Sequence, residues 1–342
     1  MDLELREIKD CEIVHHASEG MRISSQYRTV TVQKSDARYS IKLPSDGWMG
    51  VFGRSRLFRR ALRLDKCNVV PVQEGLVVIR QGKVFHYDQK KGKLSETLKL
   101  KNCRNVLHQA VLVRDGKDII FGEYGNNPDR LDVPVYRSRD DGKTWQIVFT
   151  FSAGTIKHVH GCYWDPFEEK VWLFTGDFSG ECRILVADPE FKDLEWIGDG
   201  QQQFRACNAF FTPETVHWVM DSQLETSHHM RLDRKTRQVK QLDGFPGPVW
   251  YIKELNDGWY LAATAQEIGP GVHDDYAHLL ASRDLIHWQE VFKAPHDRWP
   301  KRYFKFGVIG FADGPQSSKN FYIFSEALKA MDGKSFLCQL KM

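Results

Sequence analysis

Short apolar runs broken by turn signals recur along the whole chain. Gly75–Arg80, Asp118–Phe121, Val171–Phe174, Thr215–Met220 and Phe321–Phe324 are each four to six residues of mainly Val, Ile, Leu, Phe and Trp. That is the length and make-up of β-strands. Asp115-Gly116, Asp141-Gly142, Asp257-Gly258, Asp313-Gly314 and Asp332-Gly333 punctuate them, and Asp-Gly is a strong hairpin signal. Helical periodicity is nearly absent. The exception is Arg54 to Leu64, where five arginines surround Leu57, Phe58, Ala61 and Leu62; it predicts one helix of about three turns.

A repeat organises these strands. Val135-Tyr-Arg-Ser-Arg-Asp-Asp-Gly-Lys-Thr-Trp145 returns in shortened form as Leu280-Ala-Ser-Arg-Asp-Leu-Ile-His-Trp288, with Ala187-Asp188-Pro189 leading to Trp196 between them. The tryptophans lie 51 and 92 residues apart, close to one and two units of about 47 residues, a spacing typical of propeller blades. Degenerate versions stand at Tyr87-Asp88 and Leu232-Asp233. The expected fold is all-β, a single domain over residues 1–342 forming one seven-bladed β-propeller of four-stranded antiparallel blades, with six blades as the alternative. Blades are expected at 11–45, 62–100, 106–151, 158–200, 204–247, 248–295 and 302–342, with a strand from Leu3 to Ile8 completing the last.

Ser138-Arg-Asp-Asp-Gly-Lys-Thr-Trp145 matches the Asp-box pattern Ser-x-Asp-x-Gly-x-Thr-Trp, and so resembles the bacterial neuraminidase repeat of sialidase-like propellers. Gly122-Glu-Tyr124, Gly154-Thr-Ile-Lys-His-Val-His-Gly161, Trp164-Asp-Pro166 and Thr175-Gly-Asp177 extend a looser resemblance from about residue 105 to the C-terminus. The resemblance implies that the Asp box is a structural turn between the third and fourth strands, so Asp140 and Asp284 are not catalytic. It also implies that the working face lies at the other turns. Projected onto this sequence, that face collects His108, His158, His160, Arg205, Asn208, Tyr251, Tyr303 and Lys305 at strand entries. Glu123, Tyr124, Asp177, Asp221, Glu267 and Glu326 fall at the turns between second and third strands.

The chemistry of these residues divides into roles. His160, Asp177, Glu123, Tyr124 and Asp221 are the catalytic candidates, because His, Tyr and carboxylates move protons. Two carboxylates across a cleft suit glycoside hydrolysis. Arg205, Asn208, His108, His158, Tyr251, Arg302, Tyr303 and Lys305 are the substrate-binding candidates. His158 and His160, two apart, share a strand face, and with Asp177 nearby they suit either acid–base work or metal ligation. A third and fourth ligand are not evident from the sequence, so no metal and no cofactor is expected. Glu123 and Tyr124 resemble the Glu–Tyr nucleophile pair of sialidases, but adjacency on a strand points them oppositely. Sialidases carry an Arg-Ile-Pro motif that this chain replaces by Met21-Arg22-Ile23-Ser24, which separates it from sialic acid itself.

Charge refines the ligand class. The 342 residues carry 48 Lys+Arg and 45 Asp+Glu, for a net +3, too small for wholesale nucleic-acid binding. Residues 53–63 and Arg298-Trp-Pro-Lys-Arg-Tyr-Phe-Lys305 concentrate cations between blades. A positive rim there would attract an acidic oligo- or polysaccharide. No Walker loop, dinucleotide turn or zinc-finger spacing is present, and no apolar run approaches a membrane span. Seven scattered cysteines without a Cys-x-x-Cys pair, and no signal-like N-terminus, lead to an expectation of reduced thiols and a cytoplasmic location. The function expected is glycoside hydrolysis of an acidic glycan. The alternatives are a uronate-cleaving polysaccharide lyase with a His or Tyr base and an Arg neutraliser, or a non-catalytic glycan- or protein-binding propeller. Oligomeric state is not legible.

Overall fold

The computed structural model describes residues 1–44, 47–53 and 55–341. Twenty-eight strands form seven four-stranded antiparallel sheets, the blades of a seven-bladed β-propeller. β1 (Asp2–Ile8) stands apart in sequence from its sheet. The first blade is β2 (Ile13–Ser18), β3 (Met21–Gln26), β4 (Thr29–Lys34) and β5 (Arg38–Lys42). Two short helices follow, α1 (Gly47–Phe52) and α2 (Arg56–Ala61). The helix expected over 54–64 is thus a single turn and a half in α2, ended at Leu62–Arg63, where Arg63 takes φ 54°; Arg54 lies outside the described residues.

The second blade is β6 (Asn68–Val72), β7 (Gly75–Arg80), β8 (Lys83–Asp88) and β9 (Lys93–Lys99), and the third is β10 (Leu112–Arg114), β11 (Asp118–Gly122), β12 (Val133–Ser138) and β13 (Gln146–Phe151). The fourth is β14 (His158–Asp165), β15 (Lys170–Gly176), β16 (Cys182–Ala187) and β17 (Leu194–Gly200). The fifth is β18 (Phe210–Phe211), β19 (Thr215–Val219), β20 (His228–Asp233) and β21 (Val239–Gly244). The sixth is β22 (Val249–Leu255), β23 (Trp259–Thr264), β24 (Tyr276–Ser282) and β25 (Gln289–Pro295). After α3 (Lys301–Phe304), the seventh comprises β26 (Val308–Phe311), β27 (Phe321–Glu326) and β28 (Lys334–Lys341). β1 joins it as the fourth strand, pairing Asp2 with Lys341 through Ile8 with Ser335.

The chain forms two compact units. One contains Met1–Lys66, Gln223–Thr226 and Phe245–Met342; the other contains Cys67–Ser222 and Ser227–Gly244. In the first, Leu261, Leu279, Ile309, Phe321, Ile323 and Phe324 form a core at 1% exposure or less. In the second, Trp172 and Phe174 of the fourth blade meet Trp218, Met230 and Leu232 of the fifth. Central strands such as β7 are buried along their whole length, whereas fourth strands such as β9 and β13 alternate toward solvent. Burial on both faces selects unbroken apolar runs, and an edge selects polar ones.

Turns between third and fourth strands share one device. Asp88, Asp140, Asp188, Asp233 and Asp284 each accept backbone amides three to five residues on, from Lys91, Thr144, Lys192 and Asp193, Thr236, and His287 respectively. At the fullest example Ser138 Oγ also accepts the Gly142 amide (2.8 Å), and Trp145 Nε1 donates to the Gly142 carbonyl (3.1 Å). Gly142 sits at φ 84°, a conformation costly for a side chain. Burial pushes the Asp140 and Asp188 carboxyls upward, and the donated hydrogen bonds more than offset it, holding both below the usual carboxylate range. These aspartates are committed to the backbone.

Two predictions follow from this packing. All seven cysteines are buried and outside any disulfide, so a thiol reagent should find seven groups after denaturation and almost none before; fewer than seven would contradict the assignment. Asp140→Ala should lower unfolding free energy by about 1–2 kcal/mol through lost charged hydrogen bonds, and Trp145→Ala by about 2–3 kcal/mol, both read by urea denaturation.

Candidate functional site

β14 opens the fourth blade with His158, and its pairing with β15 skips a residue between Val159 and Gly161. His160 is that bulge. The same interruption falls at His15 in β2 and Trp250 in β22. In each case the bulged side chain reaches the far end of its own blade's second strand. His15 Nε2 meets Ser25 Oγ at 2.8 Å, His160 Nε2 meets Asp177 Oδ1 at 3.1 Å, and Trp250 Nε1 donates to Glu267 Oε1 at 2.7 Å. A bulge re-aims one side chain without breaking the sheet, and here it serves the same end of three blades.

In the fourth blade the result is a dense polar cluster. His158 Nδ1 lies 2.7 Å from the Gly125 carbonyl and His160 Nδ1 lies 2.9 Å from the Ala206 carbonyl. A carbonyl only accepts, so each Nδ1 carries a proton and donates it. The two Nε2 atoms then face one another at 3.1 Å, and both face Asp177 Oδ1, at 3.3 Å from His158 and 3.1 Å from His160. Asp177 Oδ2 accepts from Lys157 Nζ at 2.6 Å. Arg205 bridges two carboxylates, with Nη2 3.3 Å from Asp177 Oδ1 and Nε 3.4 Å from Asp221 Oδ2, and Nη1 donates to the Asp177 carbonyl at 3.1 Å. Gly176 permits this approach: a Cβ there would stand 2.8 Å from His160 Cε1 and 3.2 Å from Arg205 Cγ.

Burial sets the electrostatics. His158, His160, Arg205, Asp221 and Cys207 are all under 5% exposed, while Lys157 and Asp177 are half-buried. Burial pushes the Asp177 carboxyl upward, yet it is held below the usual carboxylate range, with Lys157 Nζ and Arg205 Nη2 standing beside its two oxygens. Burial also pushes the His158 imidazole down and the Cys207 thiol well up. Cys207 therefore stays a thiol and donates to Asp221 Oδ2 (3.3 Å). Asp177 is an anionic anchor; it holds no proton to give as a general acid.

The sequence-predicted residues separate accordingly. His158, His160, Asp177, Arg205 and Asp221 converge, and Tyr124 lays its ring against His158 with centroids 4.2 Å apart. Glu123 sits one residue away in a different job, accepting the Lys101 and Asn102 amides and the Tyr136 hydroxyl at 2.8–3.0 Å, which fixes a loop. Asn208 is half-buried and accepts the next amide, that of Ala209. His108 is half-buried in the connection before β10. Reasoning from sequence missed Lys157, Cys207 and Phe178, which are brought in by connections and not by strand periodicity.

In the other unit the expectations meet a different outcome. Tyr251 is a core residue, 3% exposed and edge-on to Phe324, because the bulge hands the turn-facing position to Trp250. Lys305 is 3% exposed and pairs with Asp65 (2.8 Å) and Glu326 (2.9 Å), so its charge is spent inside the protein and not presented to a substrate. Three of the arginines expected to form a positive rim are neutralised from within, while Arg63 and Arg298 are exposed. Arg56 pairs with Asp65 and Asp332, Arg59 with Glu12, and Arg60 with Asp297 and the Phe304 carbonyl. Carboxylates distant in sequence consume the charge that local composition displays. Arg302 and Tyr303 remain exposed on α3.

No protein-family model matches the chain, and no curated protein does. Solved structures share its fold at low identity. It is similar to the tricorn protease (12% identity, TM-score 0.51), covering 98% of this chain and 36% of that one. It is similar to the extracellular domain of BT4673 from B. thetaiotaomicron (8%, 0.58, 98% and 42%) and to the Niastella koreensis GH74 enzyme (12%, 0.53, 84% and 46%). The chain thus spans less than half the length of each of these three.

The cluster makes a direct prediction. Asp177→Ala strands Lys157 and Arg205 beside a lost charge and should cost about 3–5 kcal/mol of unfolding free energy. Lys157→Met, at the exposed side of the same carboxylate, should cost about 1 kcal/mol or less. Chemical denaturation of both variants checks this, and equal losses would contradict the anchoring role.

Proposed function

We propose that the protein is a carbohydrate-active propeller of the Asp-box, sialidase-like kind that hydrolyses an acidic glycan at the end of the fourth blade where β14 begins. One observation carries the reading. Phe178, directly after Asp177, is 47% exposed, and two cations flank its ring, with Lys157 Nζ 5.6 Å and Arg130 Cζ 5.5 Å from the centroid. An exposed aromatic face suits the apolar C–H face of a sugar ring, and the two cations, held in place by Asp177 and Glu181 at 2.6 Å, keep further N–H donors for its polar groups. Histidine, arginine and aspartate stand immediately behind this platform. The shared fold with the GH74 enzyme supports the reading at the level of analogy.

A lyase reading has an observation of its own. Asp177 is held as an anion, whereas His158 is kept toward its neutral form by burial; a neutral imidazole with Arg205 beside it is the equipment for abstracting a proton next to a uronate carboxylate. The two reactions leave different products. Incubation with a panel of uronate- and nonulosonate-containing oligosaccharides should release reducing ends without ultraviolet absorbance. Absorbance from an unsaturated product would establish the lyase, and a bound but intact glycan would establish a binding module. Phe178→Ala and Lys157→Met should each weaken glycan binding about 10-fold, the effect of roughly 1.4 kcal/mol, with little change in thermal stability. Binding unaffected by both substitutions would refute the site.

A further inference from the structure

The lone pairs in the fourth blade do not balance. Both imidazoles spend their Nδ1 protons on backbone carbonyls, at 2.7 Å to Gly125 and 2.9 Å to Ala206. What they turn toward each other and toward Asp177 Oδ1 is therefore a triangle of acceptors, with sides of 3.1, 3.1 and 3.3 Å. Three acceptors that close repel unless something positive stands among them. The nearest cations are spoken for in part. Lys157 binds the other carboxylate oxygen, Oδ2, and Arg205 approaches Oδ1 from the side while also holding Asp221 and the Asp177 carbonyl.

We propose that His158 Nε2, His160 Nε2 and Asp177 Oδ1 form a site for one divalent first-row transition-metal ion of zinc-like character. Ligands about 2.0–2.1 Å from a tetrahedral ion lie about 3.3–3.4 Å from one another, so the triangle has the required size with little movement. Two imidazoles and one carboxylate are the ligand types such ions take, and three protein ligands leave a position for an outside molecule. The outer contacts agree as well. Ligating histidines characteristically donate their second ring N–H to a carbonyl or carboxylate, and ligating carboxylates are themselves hydrogen-bonded; Gly125, Ala206 and Lys157 supply all three of these contacts. The bulge at His160 and the missing side chain at Gly176 are what bring the second imidazole into the triangle.

A neighbouring triad is a poorer match. His160 Nδ1, Cys207 and Asp221 also lie close together, but that nitrogen donates to Ala206 and the thiol donates to Asp221. A second histidine pair supplies a control. His217 Nδ1 and His229 Nε2 are 3.0 Å apart and buried, and His217 Nε2 pairs with Thr215 Oγ1 at 2.8 Å, a hydrogen-bonded chain with no carboxylate in it.

The test uses the full-length, tag-free protein stripped with a chelator and titrated with zinc chloride or cobalt(II) chloride by calorimetry. One ion per chain is expected, and cobalt should develop the intense visible bands of a four- or five-coordinate site. His158→Gln and His160→Gln should each reduce affinity roughly 100-fold or more, and His217→Gln should leave it unchanged. Should the His160 variant fail to fold, zinc-edge X-ray absorption of the wild type decides: two imidazoles with oxygen, and no sulfur, is the predicted shell. Substoichiometric binding, binding indifferent to the His158 and His160 changes, or a sulfur ligand would overturn the proposal. No sugar enters these readouts, so the metal site and the glycan reading stand or fall separately.

Discussion

The half-buried charge on Asp177 is the constraint that the fourth and fifth blades meet at this end. A carboxylate taken from water costs several kcal/mol unless its oxygens are met by donors or cations. Here Lys157 takes one oxygen, Arg205 stands beside the other, and Gln202 and Arg205 hold the residue's own carbonyl. These partners come from separate stretches of chain, the connection into β14 and the short helical turn before β18. Removing the charge would leave all of them without purpose. Meeting it fixes their positions closely enough for chemistry.

The sheet supplies that closeness through irregularity. A regular β14 would place His158 and His160 on one face at the ordinary spacing of alternate residues. The bulge turns His160 so that its ring meets both His158 and Asp177, and Gly176 makes room for the ring on the paired strand. Bulges at His15 and Trp250 do the equivalent work in their own blades with other partners, Ser25 and Glu267. A repeated backbone device thus presents a different side chain in each blade. The other ends of the blades are conservative, with aspartates folding the third turn onto its own amides.

Much of this was legible in the sequence. The spacing of Trp145, Trp196 and Trp288 carries the blade period, and the Ser138–Trp145 pattern carries a turn whose carboxylate serves amides. His158, His160, Asp177, Arg205 and Asp221 could be placed together because strand entries and second turns share one end of a blade. What failed did so for physical reasons. Tyr251 was one residue from the position that faces the turn, since a bulge shifts the alternation and has no local signature. The Arg56–Arg60 run looks like a free positive surface because Glu12, Asp65, Asp297 and Asp332, which neutralise it, are scattered along the chain. Lys305 was misread in the same way. Composition reports charge, and only the fold reports what that charge touches.

The site depends on the orientation of two imidazoles, and that is directly measurable. Nitrogen-15 NMR of protein labelled at histidine distinguishes the two ring nitrogens and their protonation. Between pH 6 and 8, His158 and His160 should both carry a proton on Nδ1, held by the Gly125 and Ala206 carbonyls, and both Nε2 signals should shift together when Asp177 is changed to Asn. A Nε2–H tautomer with an unprotonated Nδ1 at either histidine, or Nε2 signals indifferent to Asp177, would contradict the convergence on which the site is built.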